Sequence, residues 1–565
     1  MTEAASSYTA AGKNMLITGR VQNAIALLTH ACALLASVDD PALHAAALEA
    51  LLKAHVGAGQ AARAVSLSGP VDELECAGLG PEPLALLRVQ LAWADTLACE
   101  PARGIARVED ARALLTGQSS RQVRLAIDAV ECRLLVQAHR GGAAVRLAYQ
   151  VIAAADEDPQ APAACHAWEV LGVIARADDP ARSTGCFRRA RLLAQQHRLP
   201  FRRLHAQLEL GVDEWISTGQ TARLALTRRE AERLQVLPVS CMAAITIAID
   251  LTVRGRYAEA GPLIDQCLAQ ADEAGLTAVL RWVILARSVL TAHQRRREEM
   301  DIALKELADH GDGAPYLLPL ALQLSATVCA LLEEDRGQAA RELRRAARLH
   351  AEHPGPYPMT GWDGLHLLLG AGPAAGSQPG RPGWEGLTGR MPFWNKPFAL
   401  LGRAALLGRQ GRQAEALAAV TQAEEIAAPY GLMHHLGLRM IAEAAYRDGW
   451  GAPGTWLRKA EAFFYDFPAP AVSNACRSLL QRIGAPAPQH RQDTGRIPRD
   501  LRALGVTVRE YEVLHALAGQ RRNKDIAQLL YISHRTVEKH VASLLVKTGL
   551  PGRKALAELA AAVQP

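Results

Sequence analysis

A short phrase recurs along this chain, and its spacing limits the fold more tightly than any other feature. Gly19-Arg20-Val21-Gln22-Asn23-Ala24-Ile25 returns as Gly59-Gln60-Ala61-Ala62-Arg63-Ala64-Val65, as Gly255-Arg256-Tyr257-Ala258-Glu259-Ala260 and as Gly411-Arg412-Gln413-Ala414-Glu415-Ala416-Leu417. The glycines at 19, 59, 255 and 411 are separated by one, five and four steps of roughly 39 to 40 residues, within the range of stacked helical repeats. Looser copies stand near Glu100, Gly141 and Asp335. Between the copies, amphipathic stretches alternate with brief Gly, Asp or Pro breaks, which is the rhythm of helical hairpins. A single hairpin cannot bury its apolar face, so neighbours must stack, and the stack offers a concave surface to a peptide, a protein or a small effector. A rigid spacer or a dimerisation scaffold would have the same pattern.

The residue types agree with this reading. Aromatic residues make up only 5% of the chain and hydrophobic residues 49%, a balance that favours helices over sheets and supplies apolar surface for large cores. We therefore expect an all-α protein. At 565 residues it exceeds one compact domain. The net charge of +6 is slight for this length and argues against a nucleic-acid surface along the whole chain. Ten cysteines stand singly, with no C-x-x-C pair, so neither a zinc site nor a disulfide framework is indicated and a cytoplasmic location is expected. The start, MTEAASSYTAAGKNML, lacks the basic-then-apolar order of a signal peptide, and no apolar run is long enough to span a bilayer, so no membrane partner is expected.

The C-terminal region carries a second pattern. Thr507 followed by Glu510 is a capping box that starts a helix, with Val513, Leu514 and Leu517 on one face. The stretch Gly519-Gln520-Arg521-Arg522 breaks it, and a short helix with Ile526, Ala527 and Leu530 inward can follow. Ser533 is a candidate N-cap for a third helix running to about Thr548, in which Val537, Val541, Leu544 and Leu545 form the buried stripe. Its opposite face bears Glu538, Lys539, Ala542 and Val546, flanked by Arg535, Thr536, His540 and Lys547. A helix with a polar face and basic rims fits the DNA major groove and neutralises phosphates.

Asn523-Lys524-Asp525-Ile526-Ala527, Ile532-Ser533, Thr536-Val537-Glu538-Lys539-His540, Lys547-Thr548-Gly549 and Arg553 together resemble the LuxR-type helix-turn-helix. The resemblance covers the last 65 residues or so. It implies a four-helix domain that binds double-stranded DNA as a homodimer, with Leu556, Leu559 and Val563 of the last helix as dimer contacts. It places Glu538, Lys539 and Ala542 nearest the bases, and Arg535, Thr536 and Lys547 toward phosphates; Arg522, Asn523, Lys524, Ser533, His534 and His540 complete the implied DNA-binding set. Two residues depart from the family pattern: Gln520 replaces a usual Gly and Arg522 a usual capping Ser, which weakens the cap of the second helix by about 1 kcal/mol. The recurring phrase, with Trp168-x-x-Leu171-Gly172, resembles tetratricopeptide repeats, although the period is longer than theirs.

The expected organisation is thus helical repeats over 1–352, a Gly/Pro-rich insertion over 353–397, further repeats over 398–483, a linker over 484–500 and the helix-turn-helix domain over 501–565. Trp362, Trp384 and Trp394 in the insertion either pin it to the repeats or line an apolar pocket. Large LuxR-type regulators often add an ATP-binding module, but the only Gly-Lys pair, Gly12-Lys13, sits in no phosphate-cradling loop. The Ile245–Asp250 run is read as part of a buried helix. No catalytic motif, cofactor site or metal site is expected, nor a phosphoacceptor domain. The reading is a transcription regulator whose repeats meet an unknown effector or protein partner; its alternative is a repeat scaffold that does not bind DNA.

Overall fold

The computed structural model describes residues 1–157, 160–309, 315–357, 362–369, 392–467, 469–486, 497–518, 521–530 and 532–562. Regular structure among them is entirely helical, so the protein is all-α. None of the described helices is long and apolar enough to cross a membrane.

The recurring phrase marks one kind of turn. Gly19, Gly59, Gly255 and Gly411 have φ of 82°, 76°, 81° and 77°, the left-handed conformation that glycine adopts without penalty. At each, two backbone amides reach back into the preceding helix: Gly19 N donates to Leu16 O at 3.1 Å and Arg20 N to Met15 O at 2.8 Å. This Schellman arrangement satisfies carbonyls that a helix end leaves orphaned. The looser copies use the same turn without glycine, at Cys99, His139 and Glu334, with φ of 59°, 58° and 56°. Four steps on from Gly19 the device changes: Asp179 caps helix Pro180–Gln196 by accepting from Arg182 N at 3.1 Å, with proline in the first turn.

Two compact units are present. The larger comprises Met1–Cys329, Gly337–Arg403 and Ala419–Met433. In it the first helices of successive hairpins, Pro41–Gly57, Pro81–Ala98, Arg121–Gln137, Ala161–Ala175, Pro200–Thr218, Leu237–Val253 and Thr277–His293, each pack on the next. Ile245–Asp250 lies within the Leu237–Val253 helix and is mostly buried. Close approach within hairpins depends on small residues: a Cβ on Gly172 would meet the Phe187 ring at 2.7 Å, so the Trp168-x-x-Leu171-Gly172 motif marks a helix crossing. The row of hairpins winds back on itself, since helix Thr277–His293 packs against Pro81–Ala98 and Gly59 faces Pro238 and Leu276.

Of the three insertion tryptophans, Trp394 is buried, with its ring 5.1 Å from that of Trp215. Phe393 N donates to Ile216 O at 3.0 Å, so this end of the insertion is pinned to the repeats. Residue 384 and the side chain of residue 362 lie outside the described residues, as does much of the expected linker.

The smaller unit comprises Ala330–Arg336, Ala404–Ala418 and His434–Pro565. Among its repeat helices, Gly408 leaves room for the Trp450 indole. Arg439 bonds Glu443 at 2.8 Å and Glu334 at 3.2 Å, and Arg336 bonds Glu443 at 2.8 Å. Its C-terminal part has a separate core built from Ile497, Val513, Leu517, Ile526, Val537, Leu544 and Leu556 among others.

Candidate nucleic-acid interface

Four longer helices surround that core, Val508–Leu517, Asn523–Leu530, His534–Thr548 and Arg553–Ala562, preceded by the short Arg499–Ala503, which buries Leu501 in it. The first begins at the expected capping box, in which Thr507 N donates to Glu510 Oε2 at 2.8 Å and Glu510 N to Thr507 Oγ1 at 3.3 Å. The third starts at Ser533, whose Oγ accepts from Thr536 N at 3.1 Å, and stops at Gly549, φ 66°. Val537, Val541 and Leu544 are buried and Leu545 partly so. A 3.6-residue period then turns Arg535, Glu538, Lys539, Ala542 and Val546 to the opposite side, where all five are exposed. Val546, at 84% exposure, is the most open large apolar side chain among the described residues.

Around this face the remaining predicted residues fall into two groups. Arg522, Lys524, Ser533 and His534 are exposed; Asn523, Thr536 and His540 are half-buried. His534 Nδ1 lies 3.4 Å from Glu538 Oε1, one helical turn away, so this carboxylate has an optional partner when the imidazole is protonated. Asn523 is held from the other side: its Oδ1 accepts from Arg553, whose second Nη donates to Arg521 O. These two motif residues join the second helix to the start of the fourth, so Asn523 Oδ1 is engaged inside the domain.

Two predicted roles need correction. Lys547 does not project as a free phosphate contact: its Nζ donates to Glu510 Oε2 at 2.6 Å and to Gly505 O at 2.8 Å. The physical reason is Glu510, which is 5% exposed and needs donors; Ser543 Oγ supplies another at 2.6 Å. Burial opposes ionisation of Glu510, but the bonds from Lys547, Ser543 and Thr507 outweigh it and hold its pKa down to about 2. Leu556 does not face outward as a dimer contact either. It is 0% exposed and belongs to the domain's own core, whereas Leu559 is only partly buried; residue 563 lies outside the described residues. The outward positions of the fourth helix are Lys554, Glu558 and Ala561.

The capping weakness expected at Arg522 has a local remedy. Asp525 Oδ2 accepts from Arg522 N at 3.1 Å, while Arg522 O accepts from the amides of Asp525 and Ile526 at 3.0 Å. The carboxylate reaches back as in half of a capping box, leaving the Arg522 side chain free at the surface. Residue 520 lies outside the described residues. The Glu510 network was not legible in the sequence; the capping-box glutamate gave a signal for one of its bonds only.

Residues 505–560 match the family described as bacterial regulatory proteins, luxR family. The chain is 25% identical over 385 residues to a protein of Mycobacterium tuberculosis (strain ATCC 25618 / H37Rv) named for a proposed role as an HTH-type transcriptional regulator. That match covers 63% of this chain and 39% of the relative's length. A Rap protein, solved in complex with competence and sporulation factor, shares 11% identity at a TM-score of 0.47, over 62% of this chain and 98% of that one. The C-terminal domain is a LuxR-type helix-turn-helix domain, preceded by helical repeats.

Proposed function

We propose that the protein is a sequence-specific transcription regulator that places helix His534–Thr548 in the major groove of operator DNA, while its repeats receive the signal. The observation that carries this is the outer face of that helix: Arg535, Lys539, Ala542 and Val546 are all exposed there, and the ion pair on this face among the described residues is that of His534 with Glu538. Lys539 is suited to donate to guanine, Glu538 to accept from a cytosine amino group, and Ala542 and Val546 to meet a thymine methyl. Arg535, Arg522 and Lys524 are suited to phosphates. Pairing as a homodimer on DNA is proposed through the fourth helix, with Leu559 rather than Leu556 at the contact. The division of labour follows the order expected from the sequence, repeats to 483, then a linker, then the DNA-binding domain, with the start of that domain moved from 501 back to Ile497, which is buried in its core. In this reading the protein acts in the cytoplasm and is not an enzyme.

The test is a selection from genomic fragments by the full-length protein at near-physiological salt, beside an Arg535→Ala, Lys539→Ala double variant. Enrichment of a motif by the native chain and its loss in the variant is the expected result. Equal enrichment by both, or none by either, would count against the assignment.

A further inference from the structure

Inside the larger unit, the first helices of the hairpins bring together ionisable side chains that the DNA-facing site does not use. Glu169 Oε2 lies 3.4 Å from Arg202 Nη1 and 3.5 Å from His205 Nδ1. One turn further along, Arg176 bonds Glu209 at 2.5 Å and Asp213 at 2.7 Å. The three carboxylates are therefore matched by Arg176, Arg202 and His205.

Two guanidinium groups remain over. Arg281 is only 9% exposed; its polar partner among the described residues is the side chain of Cys99, a thiol that burial keeps neutral, and its Nε and Nη1 are buried without a hydrogen-bond partner. Arg133 is half-buried and makes no ion pair among the described residues. The charges of both bear on the Tyr316 hydroxyl, and that of Arg133 also on Tyr357. A buried guanidinium with no carboxylate partner is costly to keep, so an apolar residue in its place should cost the fold little. Its presence calls for an anion.

Packed helices and aromatic rings surround these charges. Helix Thr277–His293, which carries Arg281, packs against helix Pro81–Ala98, whose Trp93 ring stacks on His166 at 4.0 Å and lies 5.6 Å from the Arg202 guanidinium. Tyr357 stands 5.1 Å from the ring of Trp282 and 6.3 Å from that of Tyr316. Arg202 and His205 keep 29% and 33% of their side-chain surface accessible on a helix packed against its neighbours on both sides. Accessible charged surface between packed helices is what a ligand pocket requires.

We propose that this pocket binds a small organic oxyanion, a carboxylate or phosphate on an apolar or aromatic body, through the guanidinium groups of Arg281 and Arg133. Arginine suits planar and tetrahedral oxyanions alike, and the neighbouring aromatic rings give the body of such a ligand apolar contact. As an effector site this rests on the reading of the repeats as the sensing part; the binding itself does not depend on DNA.

The experiment uses the full-length protein with benzoate, phenyl phosphate and inorganic phosphate as probes at constant ionic strength, read by calorimetric titration and thermal unfolding. Arg281→Met and Arg133→Gln serve as variants. We expect saturable binding of benzoate or phenyl phosphate, at least tenfold weaker in both variants, with probe-free Arg281→Met melting close to the native temperature. Comparing the two aromatic probes identifies the oxyanion. No saturable binding of any probe, undiminished binding by Arg281→Met, or a marked fall in its probe-free melting temperature would overturn the proposal. Failure of the DNA-binding reading appears separately, as loss of fragment selection with anion binding intact.

Discussion

Lys547 and Lys539 occupy the same helix and carry the same charge, and their surroundings give them opposite work. Lys539 is exposed on the outer face, so Lys539→Ala is expected to erase base preference in fragment selection while leaving the melting temperature unchanged. Lys547 neutralises a buried carboxylate at 2.6 Å. Replacing it with Met leaves Glu510 short of a donor and should cost on the order of 1–3 kcal/mol, measured by local hydrogen exchange over residues 497–562, with fold loss rather than a changed salt slope as the cause of weaker DNA binding. Glu510 also sets a pH dependence. Its folded pKa, near 2, lies below the unfolded value of about 4.3, so its contribution is complete above that unfolded value and is lost as pH falls through the folded one. The difference in protection between native protein and Glu510→Gln should therefore be constant at neutral pH and close between about pH 4.3 and pH 2.

Among elements, the turns between helices explain why the recurring phrase was visible in only some repeats. A Schellman turn needs one left-handed residue, which glycine adopts without strain and other residues adopt at a cost of roughly 1–2 kcal/mol. Where glycine stands, the phrase reads clearly; at Cys99, His139 and Glu334 the backbone makes the same turn and the phrase fades. Gln235 is a further case, exposed with φ 55° between helices Ala222–Arg233 and Leu237–Val253. Gln235→Gly relieves the strain while loosening the unfolded chain, so a net gain of up to about 1 kcal/mol is expected in denaturant titration. At the other helix end, Ser533→Ala removes the bond to Thr536 N and should cost about 1 kcal/mol, with weaker DNA binding because the outer face starts at that turn.

For the molecule as a whole, the slight net charge of +6 means that, in the proposed function, DNA affinity should depend on local cations rather than on a general field. Operator binding by the full-length protein should fall linearly on a log–log plot against salt, and Lys524→Ala or Arg535→Ala should each flatten the slope by about one. Neither change should alter the selected motif. The repeats contribute in a different way, by coiling until helix Thr277–His293 meets Pro81–Ala98. That closure brings together helices from hairpins far apart in the chain.

Local features of the sequence sufficed for whatever depends on neighbours within about one helical turn. The capping box Thr507–Glu510, the Ser533 cap, the buried stripe of Val537, Val541 and Leu544 and the glycine turns all follow from i, i+3 and i, i+4 geometry, and they were enough to identify helical repeats and a LuxR-type domain. Tertiary structure decided which polar groups become neighbours across long separations. Lys547 with Glu510, Arg553 with Asn523, and the buried Arg281, whose Nε and Nη1 find no partner, are set by how whole helices pack. Helical periodicity tells which face a side chain occupies, but only packing brings the partner face, and a charge takes its role from the partner it meets.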